Sequence, residues 1–285
     1  MKEQPYRYVV EGKEIDIIKE DWAFLFILDA CRYDMFKEVY KEIFGMEETL
    51  KKAISPATWT MEWLNKIFGE KYHDDIIYIS GNVFVNSKRK MCYKENGKRC
   101  FDAKRHFFKV VDVWNFGWSN NLNTVHPVEI NKAFHKYYLK YPNKRFILHY
   151  VQPHQPFITI KKNEKDSFDK KKRKNSTPFR CVIRKYLPEE ISWKIKKMLD
   201  FPVGSDVEKI YREKGWEGIK EIYKNEIRLV LNHVKMLTDS VTENFVITSD
   251  HGERLGEYLF NSRHGGRRDK EVIEVPWFEV RKRIS

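Results

Sequence analysis

The sequence has no long hydrophobic run. No apolar stretch reaches the ~18 residues that a membrane-spanning helix needs, and the polar opening MKEQPYRYVVEGKEID does not resemble a signal peptide. We therefore expect a cytoplasmic protein, with a location at the membrane surface as the alternative. Hydrophobic residues make up 41% and aromatic residues 15% of the chain, which is enough to form a core and argues against global disorder.

Cysteine is scarce, with four residues in the chain, and this excludes a disulfide-rich scaffold. Cys92 and Cys100 lie in the basic stretch CYKENGKRC. Their spacing is loose for a metal site and no CxxC pair accompanies them. We therefore expect a reduced pair on a basic loop rather than two metal ligands.

Acidic residues are outnumbered, with 54 Lys and Arg against 41 Asp and Glu, and the formal net charge is +13. This favours anionic partners, namely nucleic acid, acidic lipid headgroups or phosphorylated and sulfated substrates, although solvated helix surfaces explain the same charges equally well. No motif of stacking aromatic and basic residues typical of RNA binding occurs, so no specific nucleic-acid partner is expected. The segment 161–185 is strongly basic and lacks periodic apolar residues, which predicts an exposed, peripheral insertion.

Six short apolar runs are typical of strands: 22–29, 75–80, 109–114, 145–151, 244–250 and 273–280. Helical patterns lie between them at 33–45, 60–69, 127–140 and 216–239. Most of the strand-like runs lack alternating polar residues, as expected for strands buried on both faces. The pattern predicts an α/β fold with a mostly parallel central sheet flanked by helices on both faces, in a single domain over residues 1–285.

Three of the predicted strands end in side chains that can bind metal ions. Asp29 follows the first strand, Asp250 and His251 follow the strand NFVITS, and a third strand contains His149 and is followed by His154. Ligands of open α/β sheets bind beyond the carboxyl ends of the strands. The glycine after the Asp-His pair lets the backbone turn away while both side chains face one point. The sequence therefore predicts that two aspartates and a histidine share a divalent ion such as zinc or manganese.

These segments resemble motifs of the alkaline phosphatase superfamily, and most closely its sulfatase-like branch. The run TSDHGERLGE, a later histidine and a VP-containing strand resemble the C-terminal signature, and LDACRYD resembles the first metal-binding segment. VQPHQPF resembles the segment that places a histidine near the substrate, and ISPATWTMEWL resembles the segment with the nucleophile at a helix start. The matches follow the family order over most of the chain. The resemblance implies an alkaline phosphatase-like fold, and the short length suggests a compact, archaeal-type member.

The resemblance also implies the metal site. Asp29, Asp250 and His251 match metal ligands, and His264 matches a later histidine that binds a second metal or a substrate oxygen. One or two divalent ions are implied, with Zn, Mn, Ca or Mg as candidates. The number stays open because the residues around His154 do not reproduce the Asp-x-x-x-His segment of two-zinc members.

Thr60 best matches the nucleophile of the family. It follows Trp59 and precedes a helical run, where helix amides favour a negatively charged oxygen. A plain helix cap is the other interpretation of Thr60, and Thr58 and Ser55 are the alternative nucleophiles.

Four further residues receive roles near the substrate. His154 and His149 are candidates to donate hydrogen bonds to the transferring oxygens or the leaving group. Arg32 and Asn82 are candidates for substrate binding, with a surface arginine and a turn-forming asparagine as the simpler interpretations. Two tryptophans are expected to pack against the core rather than to stack on a sugar: Trp114 and Trp118.

The motif C/S-x-P-x-R, in which sulfatases form formylglycine, is absent, since CRYD, CYKE, CFDA and CVIR all lack that arrangement. We therefore expect a metal-dependent hydrolase or phosphotransferase that acts on phosphate esters through a threonine nucleophile. Two alternatives stay open: a sulfatase-like sulfoester hydrolase, and a non-catalytic basic binder of anionic polymers or membranes.

Overall fold

A computed structural model describes residues 7–45, 50–69, 71–94, 98–160, 194, 198, 206–255 and 265–281. The predicted insertion at 161–185 and the candidate ligand His264 lie outside the described residues. The single-domain prediction for 1–285 therefore stays a prediction.

The strands of the described residues are β1 (Tyr8–Val10), β2 (Lys13–Ile15), β3 (Phe24–Leu28), β4 (Leu50–Ile54), β5 (His73–Ser80), β6 (Met91–Lys94), β7 (Lys98–Phe101), β8 (Phe107–Asp112), β9 (Trp118–Ser119), β10 (Thr124–Val125), β11 (Arg145–Tyr150), β12 (Phe245–Thr248) and β13 (Glu274–Val280). The α-helices are α1 (Tyr33–Phe44), α2 (Thr60–Phe68), α3 (Val113–Phe116), α4 (Pro127–Lys140), α5 (Asp206–Thr238) and α6 (Lys270–Ile273). All six predicted strands and all four predicted helices are present.

One sheet joins nine of these strands in the order β2-β1-β4-β13-β12-β3-β11-β5-β8. The five strands from β12 to β8 run parallel to one another. The other four continue the sheet through antiparallel pairings. The predicted α/β fold with a mostly parallel centre is confirmed, and its parallel strands place their carboxyl ends along one edge.

The centre of the sheet is apolar on both faces, as the unbroken runs predicted. In β3, Phe24 faces the side covered by α1, α4 and α5, where it meets Phe134 edge-on at 5.1 Å between ring centroids. Its neighbour Leu25 faces the opposite side, where it joins a cluster that contains Trp63 of α2. Successive side chains of β3 point to opposite faces of the sheet, so the strand contributes to two separate cores.

The longest helix, α5, is interrupted at Gly215, whose φ of 65° lies in the left-handed region that glycine adopts without strain. Further along α5, the hydroxyl of Tyr223 reaches the backbone of Ala30 and Arg32, next to the end of β3. Among the described helices, none combines the length and apolar composition that a membrane span requires.

The expectation of a reduced cysteine pair is wrong, because Cys92 and Cys100 form a disulfide between β6 and β7. The antiparallel register places the two residues directly opposite each other, with their Cα atoms 4.0 Å apart. The prediction of a loop over CYKENGKRC did not include this hairpin, and the cysteines meet only because the hairpin sets their register. This hairpin also packs against the site-bearing segment, since the ring of Tyr93 meets that of Trp59 at 4.5 Å.

Candidate active site at the carboxyl ends of the strands

Two buried carboxylates meet where β3 and β12 end side by side. Asp29 and Asp250 follow these strands and are 4% and 0% exposed. The amide of Ala30 donates to Asp250 Oδ1 at 3.1 Å, so the turn after β3 is bonded directly to the end of β12. Ala30 has a φ of 61°, and this left-handed turn bends the chain away behind Asp29.

Asp29, Asp250 and His251 offer ligand atoms that all lie within 4.8 Å of one another. His251 Nε2 is 3.4 Å from Asp250 Oδ2 and 3.7 Å from Asp29 Oδ1. His251 Nδ1 lies 2.8 Å from the carbonyl oxygen of Gly252, which fits a tautomer whose Nε2 lone pair faces the carboxylates. Two carboxylates and an oriented imidazole suit a divalent ion such as zinc or manganese.

The electrostatics of the pair also fit a cation. Burial and the nearby charge of Asp250 raise the pKa of Asp29 to about 8. Burial opposes ionisation of Asp250 as well, but the charges of His251 and His149 and hydrogen bonds from Thr60 and Ala30 hold its pKa below the usual value. The site therefore concentrates negative charge that two buried carboxylates accommodate poorly without a cation.

Thr60 is the hydroxyl that faces this cluster. It is the first residue of α2, and its Oγ1 donates to Asp250 Oδ2 at 2.7 Å. Asn82, just after β5, places its Nδ2 2.6 Å from Asp29 Oδ2 and 3.5 Å from Thr60 Oγ1. No side chain caps the start of α2, so its first amides are available to a negatively charged oxygen.

The two alternative hydroxyls have other contacts. Thr58 Oγ1 donates to Glu62 at 3.0 Å, and the Thr58 amide donates to the same carboxylate oxygen at 2.8 Å. Ser55 Oγ donates to the backbone carbonyl of Asp250 and accepts from the amide of Ala57. Of these three hydroxyls, only that of Thr60 is bonded to a carboxylate of the candidate metal site.

His154 lies beside the site in the loop after β11. Its amide donates to the carbonyl oxygen of Asp29 at 3.2 Å, and cis peptide bonds precede Pro153 and Pro156 on either side of it. Burial disfavours its charged form, but the charges of Asp29 and Glu253 outweigh burial and raise its pKa. A histidine that is readily protonated beside the cluster suits hydrogen-bond donation to a leaving group.

The structure places His149 below the site rather than in it. It is fully buried within β11, and its Nδ1 lies 2.8 Å from the hydroxyl of Tyr78. Burial lowers its pKa to about 4, so the ring is neutral at neutral pH. Its catalytic role stays a prediction.

Arg32 is buried and engaged by Asp34, to which its Nε and Nη2 donate at 2.9 and 2.6 Å. Its role in substrate binding also stays a prediction.

The expectation that both tryptophans pack against the core is wrong for Trp118, which is exposed, and holds in part for Trp114, which is half-buried.

Two residues that sequence reasoning did not single out shape the site, as does Gly252, to which the sequence assigned only a turn of the backbone. Ser249 Oγ accepts the amide of Cys31 at 2.8 Å and so joins β12 to the turn after β3. Gly252 has no room for a side chain, since a Cβ there would lie 2.2 Å from the carbonyl oxygen of Glu271. Glu253 is buried, and its charge raises the pKa of Asp29 and His154. All three lie in the SDHGE run, which was the available signal.

No family model matches the chain, and no curated protein matches it in sequence. Solved structures do match. The integral membrane protein lipooligosaccharide phosphoethanolamine transferase A from Neisseria meningitidis is 13% identical, with a TM-score of 0.55 over 98% of this chain and 51% of that protein. Its soluble domain gives 11% identity and a TM-score of 0.53 over 90% of this chain and 75% of the domain. The C-terminal periplasmic domain of EcEptC from Escherichia coli, solved with Zn, gives 8% identity and a TM-score of 0.47 over 99% of this chain and 77% of that one.

This chain has the alkaline phosphatase/sulfatase-like fold that its motifs predicted. It spans about half the length of the full transferase from Neisseria meningitidis. At identities this low the likeness shows the fold alone, and the narrower expectation of an archaeal-type member has no support from it.

Proposed function

We propose that this protein is a divalent-metal-dependent enzyme that transfers or hydrolyses a phosphate ester through Thr60. The main observation is the bond from Thr60 Oγ1 to Asp250 Oδ2 at 2.7 Å, at the start of α2 and inside a cluster of three candidate metal ligands. The neighbours of like fold are phosphoethanolamine transferases by name, which favours a phosphoester over a sulfoester.

Asp29, Asp250 and His251 would hold the ion, which supplies positive charge that favours the alkoxide form of a hydroxyl and neutralises phosphoryl oxygens. Asp250 Oδ2 accepts the hydrogen of Thr60 Oγ1 and orients that oxygen. Asn82 Nδ2 spans Asp29 and Thr60 and fixes their spacing.

The reaction follows from these positions. Thr60 passes its hydroxyl proton to Asp250 Oδ2 as Oγ1 forms a bond to phosphorus, while the ester P–O bond breaks and the leaving oxygen takes a proton from His154. The first amides of α2 stabilise the negative charge on the phosphoryl oxygens. Water or an acceptor hydroxyl then attacks the phosphothreonine and gives its proton to His154, while the bond from phosphorus to Oγ1 breaks and Thr60 regains its proton from Asp250.

Substitution of the candidate hydroxyls tests this proposal. Thr60→Ala should lower turnover of para-nitrophenyl phosphate or bis-para-nitrophenyl phosphate by at least about 10³-fold, since the nucleophile is lost. Thr60→Ser should retain part of it. Thr58→Ala and Ser55→Ala serve as matched controls and should keep most of the activity. A brief reaction quenched in acid should leave phosphate on the peptide that contains ISPATWTMEWL.

Other results would contradict parts of the proposal. Full activity in Thr60→Ala with loss in Thr58→Ala would move the nucleophile by two residues. Full activity in all three variants would exclude covalent catalysis from this segment. Faster turnover of para-nitrophenyl sulfate than of either phosphate would favour the sulfoester alternative.

A further inference from the structure

Three large apolar side chains are exposed on two neighbouring loops of the described structure. Val83, Phe116 and Trp118 are 42%, 63% and 41% exposed. The basic residues Lys88, Arg89 and Lys90 lie in the first of these loops and are exposed as well. We call these six residues the apolar-basic rim. Water does not favour exposed aromatic side chains, and such patches with a charged border are typical of interaction surfaces.

The two loops of the apolar-basic rim form one connected surface. Ser87 donates to Asp112 through both its amide (2.8 Å) and its hydroxyl (2.6 Å). Lys88 Nζ donates to Asn115 Oδ1 at 2.7 Å and lies over the ring of Trp114. These bonds join the loop after β5 to the loop after β8.

The apolar-basic rim lies at the same edge of the sheet as the candidate site. Its first loop follows β5 and begins with Asn82, which donates to Asp29 at 2.6 Å. Its second loop follows β8, which is parallel to β5 and ends at the same edge. Trp118 pairs with Val125, and the carbonyl oxygen of Val125 accepts from Gln152, which lies in the same loop as His154. A molecule or surface that contacts the apolar-basic rim would therefore lie next to the candidate site.

The three charged residues of the apolar-basic rim are all basic, and the carboxylate of Asp112 between the two loops accepts hydrogen bonds from Ser87. The stretches 83–94 and 113–127 contain no aspartate or glutamate. Within the described part of the chain, no ion pair joins Arg89 or Lys90 to an acidic residue. A surface of aromatic groups and unneutralised cations is complementary to a layer that is anionic outside and apolar beneath.

We propose that the apolar-basic rim docks on a lipid bilayer with anionic headgroups, so that the site meets its ester at the membrane surface. Aromatic side chains insert at the level of the headgroups, and lysine and arginine are attracted to acidic lipids. A nucleic-acid duplex would use the cations but leave Phe116 and Val83 in water. A single strand can stack its bases on exposed aromatic rings, so a single-stranded oligonucleotide is the competitor in the test. The proposal rests on the proposed function for the nature of the adjacent site.

Vesicle sedimentation of the whole chain tests this surface. The wild type should bind vesicles of phosphatidylcholine with phosphatidylglycerol, and bind pure phosphatidylcholine vesicles far more weakly. Phe116→Ser with Trp118→Ser, and separately Arg89→Gln with Lys90→Gln, should each weaken binding by about tenfold or more at low salt. Asp250→Ala should bind as the wild type does, which separates docking from turnover.

Matched controls come from surfaces away from this edge. Leu139→Ser with Met236→Ser removes side chains that are 83% and 68% exposed. Lys71→Gln with Lys104→Gln removes two exposed charges that precede β5 and β8, at the opposite edge of the sheet. Both control pairs should bind vesicles normally.

Three outcomes would overturn the proposal: no vesicle binding by the wild type, equal losses in the control pairs, or stronger binding to a single-stranded oligonucleotide that displaces the vesicles. Vesicle binding without any ester turnover would leave the docking surface standing and contradict the proposed function. Turnover of soluble esters without vesicle binding would support the proposed function and contradict the docking surface.

Discussion

Replacement of Asp29 by asparagine should have opposite effects on stability with and without metal. In the metal-free protein, burial and Asp250 raise the pKa of Asp29 to about 8, from an ordinary value of 3.8. The folded state therefore keeps a proton that the unfolded chain releases, and stability falls as pH rises from about 4 to about 8. At pH 7 this costs roughly 4 kcal/mol, at about 1.4 kcal/mol per pH unit.

The amide of the Asp29→Asn variant cannot ionise and avoids that cost. In a chelator at pH 7, Asp29→Asn should therefore exceed the wild type in the free energy of unfolding by up to about 4 kcal/mol, and the two should converge near pH 4. With zinc, the order should reverse. A metal at about 1,000 times its dissociation constant adds about 4 kcal/mol to a protein that binds it only when folded, and the variant lacks one of three candidate ligands.

Urea unfolding of both proteins at pH 4.5 and pH 7, each in chelator and in zinc, measures the free energy of unfolding under the four conditions. Asp21→Asn, which changes an exposed carboxylate, should follow the wild type throughout. The reasoning is refuted if zinc stabilises Asp29→Asn as much as it stabilises the wild type. A variant less stable than the wild type in chelator at pH 7 would show that the two carboxylates do not repel each other as the geometry indicates.

Two more predictions concern groups outside the triad. Non-reducing peptide mapping should recover Cys92 linked to Cys100. Disulfides are typical of oxidising compartments. If both cysteines are free in protein taken from cells, the disulfide prediction is contradicted and the predicted cytoplasmic location gains support. His149 stays neutral when folded, with a pKa lowered by burial to about 4, whereas its unfolded value is about 6.5. Stability should thus fall by about 3 kcal/mol as pH drops from 6.5 to 4, and His149→Phe should lose this part of the slope in urea titrations; an unchanged slope would contradict it.

The sequence predicted those parts of the fold that depend on local pattern. The unbroken apolar run WAFLFILD and the helical periodicity of 127–140 define β3 and α4 within two residues. The short strands β1, β2 and β4 were missed, because their residues alternate weakly. β1 and β2 pair with each other, and only the pairing of β4 with β1 and β13 attaches them to the sheet. The β6–β7 hairpin was missed for a related reason, since register decides whether Cys92 and Cys100 meet.

For the candidate site, sequence motifs located the residues but not their partners. The convergence of Asp29 with Asp250 follows from the rule that parallel strands end together, and the structure shows it. The choice among Ser55, Thr58 and Thr60 needed geometry, because all three hydroxyls lie within six residues and only their orientation separates them. The sequence also did not predict that His149 lies in the core, since it does not define which face of the sheet this residue of β11 occupies.

The position of β12 between β3 and β13 determines when the candidate site can form during synthesis of the chain. Until the ribosome has made β12 and β13, the strands β3, β11, β5 and β8 have no bond to β4, β1 and β2. The growing chain then presents the open edge of β3, an apolar strand prone to pair with other chains. At about 5–20 residues per second, the nascent chain keeps that edge uncovered while more than 200 residues are added after β3. A chaperone that shields β3 would act in this interval, and a chain that ends before β12 would expose an edge strand that promotes aggregation.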